Sequence, residues 1–351
     1  MADAPTGFGC PAPADADIVI APSTSSVFTG FIVSPLGDGL ILLATVLYAL
    51  MVGRLRRAGG HWPLSRSIAW GGAVVALLIA IDSSVAIYSD SLFWVHMIQH
   101  LLLIMVVPVL VVLAEPLRLG RVAGGRPGRY IVVLLETSRV WRVLTVPLVA
   151  IGLYTLTLVV THLTGFQQLM HRQMIVPQLE MVIYLISGYL VFLSLVGNEI
   201  SPWKVPYLFR FALLALTTGV DTIVGVVLML TAHPLAPGFA AERIGWGPTA
   251  LADQLQAGAV MWFGGDGLMM ILMVVTAIQW GTRRHQDEGL GTWLEGVRRR
   301  QLLGDEAATA GSNVDDDQRA LDAYNAQLAA LAVQKPSAKP RANPLPRTNR
   351  S

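Results

Sequence analysis

The chain has 351 residues, of which 54% are hydrophobic and only 14% charged, and its formal net charge is +2. A soluble domain is about 25% charged, so this composition excludes an ordinary water-soluble globular protein and points to an all-α bundle crossing a membrane several times. One cysteine, Cys10, excludes an intramolecular disulfide and any CxxC metal or redox site.

In chain order, residues 1–30 read as a polar, Pro- and Ala-rich N-terminal segment. Seven apolar stretches follow within 31–280: 31–52, 68–88, 92–113, 143–161, 179–196, 208–230 and 251–280. Each approaches the roughly 20 helical residues needed to cross about 30 Å of hydrocarbon. Residues 281–351 form a polar tail. Leu321, Tyr324, Leu328 and Leu331 give it an amphipathic helical pattern over 315–333, with disorder expected after Pro336. No phosphate-binding loop, nucleophile elbow or nucleic-acid module is present, so neither an enzyme nor a nucleic-acid partner is expected.

The basic residues set the expected orientation. Arg54, Arg56, Arg57 and Arg66 follow the first stretch, six arginines from Arg118 to Arg142 lie between the third and fourth, and Lys204 and Arg210 lie between the fifth and sixth. The alternate loops hold only Arg172 and Arg243. The positive-inside rule then puts the N-terminus outside the cytoplasm and the C-terminus inside.

On that topology, five of the seven histidines gather at the outer face: His96, His100, His162, His171 and His233. His96 and His100 stand at i and i+4 and share one helix face. Asp82 and Glu180 lie at similar depth, as do Met97, Met170, Met174, Met181, Met229 and Met261. Neutral imidazoles with a carboxylate suit a transition metal, and added thioethers favour Cu(I). The alternative for the pair is an interfacial, hydrogen-bonded role. For His162 it is capping, for His171 solvation and for His233 a turn, while Met side chains commonly serve packing. Asp221 and Asp266, near the middle of the sixth and seventh stretches, read as a polar helix contact with Thr217, Thr218 or Thr222, because a charge there costs several kcal/mol. Gly258, Gly264, Gly265 and Gly267 permit close helix approach.

Residues 94–119, WVHMIQHLLLIMVVPVLVVLAEPLRL, resemble the signature stretch of the CtaG-type cytochrome c oxidase assembly family found with bacterial caa-type oxidases. Thr161-His162-Leu163-Thr164-Gly165-Phe166 is similar to that family's next motif. Leu251-Ala252-Asp253-Gln254, with Gly258, Met261 and Trp262, is similar to its last. The tail stretch LDAYNAQLAAL is similar to tails of actinobacterial members. The likeness covers roughly residues 35–280.

The resemblance implies a multi-pass protein of the cytoplasmic membrane that helps to build heme–copper oxidase and supplies copper to the binuclear centre of subunit I. It carries over His96, His100 and His162 as candidate ligands, with Asp253 and Gln254 as further polar groups. In the family the fifth span commonly begins with histidines bracketing a glutamate. Here Glu180 is kept, but Pro177 and Met181 stand at the bracketing positions. The ligand set is therefore altered, or completed by His171, Met174 or His233. Three other readings compete with copper supply: a bis-histidine heme protein pairing His100 with His162 or His233, a copper transporter using Asp221 and Asp266, and a metal-free scaffold for oxidase subunits.

Overall fold

The computed structural model describes residues 21, 23, 27, 29–167, 175–197, 199–241, 243, 245–283, 321, 322, 324–326, 328 and 329. Cys10, Met170, His171 and Met174 lie outside the described residues. Helix α1 (Pro35–Arg57) opens on a proline, whose missing N–H is harmless in a first turn, and closes on Arg54, Arg56 and Arg57, which suit a helix C-terminus. The sequence pattern began this helix at 31; Pro35 moves its start inward. Helix α2 (Leu64–Asp82) stops at Ser83, whose hydroxyl accepts from the N–H of Val85 and caps the short α3 (Ser84–Ser89).

The third stretch is broken twice. It runs as α4 (Phe93–Leu101), a π-helical turn (Leu102–Val106) and α5 (Val107–Ala114). Pro108 has no N–H for the carbonyl four residues back, at Ile104. The chain accommodates this by widening, and the Val107 N–H bonds to the Leu102 carbonyl five residues back. The Ile104 carbonyl instead lies against Gly188, where any Cβ would collide with it. At Glu115, in the left-handed region with φ 50°, the chain turns into α6 (Pro116–Ala123).

Helices α7 (Gly125–Thr137) and α8 (Arg139–Leu144) follow, the latter capped by Ser138. Then come α9 (Pro147–Leu163), α10 (Ile175–Leu195), α11 (Tyr207–Leu230), the short α12 (Gly238–Ala241) and α13 (Ala250–Arg283). Every apolar stretch expected from the sequence is helical. Among the described residues, six helical runs are long and apolar enough to cross a membrane, one of them being the run Phe93–Ala123 through α4, the π turn, α5 and α6. The apolar α9, with 17 residues, is shorter.

Side chains sort by environment as they do in lipid. Leu36, Leu40, Leu216 and Leu230 are exposed, which would be costly in water and costs nothing against hydrocarbon. Tyr154, Tyr184, Phe192 and Leu214 are buried between helices. Helices α11 and α13 cross closely at Gly225 and Gly258, each facing the other's carbonyl oxygen. Within the bundle, Asp221 accepts from the Tyr154 hydroxyl at 2.9 Å and Asp266 accepts from Thr222 at 2.9 Å. The Asp266–Thr222 bond is the polar helix contact expected there, whereas Asp221 bonds to Tyr154 of α9 in place of a threonine. The chain divides into two compact units, Met1–Gly281 and Thr282–Ser351, and in the second the described residues from 321 onward are helical and exposed.

Candidate metal site

Three helices bring the site together. Helix α4 carries His96 and His100 on one face, α9 ends in Thr161 and His162, and α10 carries Glu180 and Tyr184, again at i and i+4. Among the described residues, His96, His100 and Glu180 form the group able to hold a metal, their ligand atoms lying within 4.8 Å of one another. His96 is 3% exposed, His100 4% and Glu180 2%. The Nε2 atoms of His96 and His100 lie 3.8 and 3.6 Å from the two oxygens of Glu180. Those gaps exceed a hydrogen bond. They lie near the separation of about 3.3 Å between two ligands on a tetrahedral ion with bonds of about 2.0–2.1 Å.

Hydrogen bonding fixes the tautomers. His162 Nδ1 lies 2.9 Å from the Leu158 carbonyl, which can only accept, so Nδ1 carries the proton. His162 Nε2 is then an acceptor, and His100 Nδ1, 3.0 Å away, donates to it. His100 Nε2 is left with a lone pair directed at Glu180. An imidazole lone pair and a carboxylate oxygen face each other in a buried space, an arrangement that a cation between them resolves. The Tyr184 hydroxyl lies 3.1 Å from Glu180 Oε1 and 2.7 Å from Thr161 Oγ1, which in turn lies 2.8 Å from His162 Nδ1. Tyr184 and Thr161 therefore hold the carboxylate and the supporting histidine. Tyr184 was not singled out from the sequence, although its position four residues after Glu180 puts it on the same face.

Phe239 of α12 covers His96, ring centroids 5.1 Å apart, and packs on Phe93 at 5.0 Å. This aromatic cover helps to keep the triad out of solvent.

The remaining expected ligands stand elsewhere. The Asp253 carboxylate accepts from the backbone N–H groups of Phe93 and Trp94 at 3.1 and 3.0 Å, and pairs with Arg243 at 2.6 Å. It caps α4 from 160 residues away, where Leu92 has no side chain able to do so. Gln254 accepts from Leu235 N–H and donates to the carbonyls of Leu228, Thr231 and His233, holding the end of α11. The His233 side chain is exposed. Asp82 is buried at the end of α2, outside the triad, its carbonyl accepting from Ile32 N–H. Met97 is buried in the core and Met181 is partly buried against it. His162 stands behind His100 as hydrogen-bond acceptor, with both its ring nitrogens engaged.

The profile of the cytochrome c oxidase caa3 assembly factor family matches residues 46–283. An uncharacterised protein of Mycobacterium leprae is 29% identical over 287 residues, which is 80% of this chain and 41% of that protein. An uncharacterised protein of Mycobacterium bovis is 30% identical over 307 residues, 84% of this chain and 44% of that one. The chain thus spans less than half the length of these curated relatives. No solved structure matches it.

Proposed function

The chain belongs to the cytochrome c oxidase caa3 assembly factor family, and we propose that it takes up a copper ion as cargo at His96, His100 and Glu180 and passes it to a heme–copper oxidase. The six long apolar helices and the family make it a multi-pass protein of the cytoplasmic membrane. The observation that carries the copper reading is the pair of acceptors, His100 Nε2 and Glu180 Oε1, facing each other 3.6 Å apart in a buried site. Imidazole suits copper, and His162 supplies the outer-sphere acceptor that a ligating histidine normally has. A bound copper would be held by the two imidazoles and the carboxylate, with Tyr184 steadying the carboxylate.

Loading and release, with no bond in a substrate made or broken, describe a carrier rather than an enzyme. The positive-inside distribution of arginines supports a site on the outer side, and the binuclear centre of subunit I is the natural recipient. Pairing of His100 with His162 on a heme loses support, because the two are hydrogen-bonded at 3.0 Å, too close to admit an iron bound to both, and the alternative partner, His233, has an exposed side chain. The test is a strain carrying H96A/H100A at normal protein level. The reading predicts at least a tenfold loss of oxidase activity with the protein still in the membrane. Full oxidase activity in that strain contradicts it.

A further inference from the structure

A second feature lies at the arginine-rich end of the bundle, away from the metal site. A groove of about 500 Å³ opens between the third stretch and α10. Its walls include Val107, Pro108 and Val111 of α5 and Leu185 and Tyr189 of α10, and Trp141 of α8 also lines it. Val107 and Val111, like Leu185 and Tyr189, are one helical turn apart, so the groove runs along the bundle axis for at least about 6 Å. Trp141 belongs to the arginine-bearing loop. Arg139 and Arg142 flank it in α8 and are exposed. Trp203 donates from Nε1 to the Arg142 carbonyl at 3.0 Å, which ties the segment carrying exposed Lys204 to α8. Helix α7, just before, exposes Tyr130, Ile131 and Leu134 alongside Arg126 and Arg129, the composition of a helix lying in a membrane surface.

We infer that this groove is a binding site for an anionic phospholipid, whose acyl chain lies between α5 and α10 and whose phosphate is held by Arg139 and Arg142, with Lys204 nearby. Two properties coincide here that generic lipid contact does not require. The groove is apolar, and Trp141 in its lining belongs to the helix that carries exposed Arg139 and Arg142, a composition like that of basic pockets between spans that hold anionic headgroups. A zwitterionic lipid gains the groove but less from the cations. A soluble phosphate gains the cations but not the groove.

The full chain is purified in mild detergent, mixed with equal amounts of dioleoyl phosphatidylglycerol and dioleoyl phosphatidylcholine, and its bound lipid is read by native mass spectrometry. Each basic residue near the headgroup contributes about fivefold, so wild type should retain phosphatidylglycerol in roughly tenfold or greater excess. R139Q/R142Q should bring the two lipids to near parity. V111W, which fills the groove, should reduce retention of both. Equal retention of the two lipids by wild type overturns the inference without recourse to a variant. So does a wild-type preference that survives both R139Q/R142Q and V111W.

Discussion

His100 shows how a single proton position decides the chemistry of the site. Its Nδ1 donates to His162, so the atom left to bind an ion is Nε2, and it points at Glu180. Removing the acceptor should therefore weaken the metal site without removing a ligand. For His162→Ala the expected loss in copper affinity is about 10- to 100-fold, read by competition with a chromophoric Cu(I) chelator. Tyr184→Phe should cost less, about fivefold, since it removes a hydroxyl shared between Glu180 and Thr161. An unchanged affinity in His162→Ala would show that the imidazole stack does not position His100. The i, i+4 spacing of His96 and His100 was legible in the sequence because helical periodicity puts them on one face. That Glu180 would complete the triad, rather than Asp82 or Asp253, was not: which carboxylate arrives depends on how α4, α9 and α10 meet.

Helix by helix, the third stretch is the one whose supports come from far along the chain. Its first helix, α4, and α6 just beyond its end each start under a carboxylate from far along the chain. Asp253 accepts from Phe93 and Trp94 at one end, and Glu199 accepts from Leu117 and Arg118 at the other, both at 3.0 Å. Between them, the π turn forced by Pro108 seats the Ile104 carbonyl on Gly188. The family resemblance carried Asp253 over as a polar group beside the candidate ligands, and its capping role was not legible, because a carboxylate that caps a distant helix leaves no local trace. Asp253→Ala would leave Arg243 buried without its ion pair, at a cost of about 3–5 kcal/mol. The expected result is a clear drop in the melting temperature of the detergent-solubilised protein, beyond that of Glu136→Ala at an exposed ion pair. Gly188→Ala should also lower it, because the Ile104 carbonyl must move to admit a methyl group. Little change in either variant would mean that the third stretch is held by apolar packing alone.

For the molecule as a whole, composition revealed the bundle at once, because charge depletion and apolar runs are global properties. The break at Ser83 and the shortened α9 were not legible in the sequence, since both depend on how backbone groups are satisfied in three dimensions. The orientation implied by the arginines can be checked directly. In a Cys10→Ser background, His233→Cys should react with a membrane-impermeant maleimide in intact cells and Lys204→Cys should not; the reverse pattern would invert the topology. The copper proposal rests on a buried triad of two imidazoles and a carboxylate. The most direct measurement is metal content with the visible spectrum, taken on purified wild type, H96A/H100A and His233→Ala after copper loading under reducing conditions. About one copper per chain is expected in wild type and in His233→Ala, none in the double variant, and no heme band in any of them. Equal copper in all three proteins, or none in wild type, would contradict it.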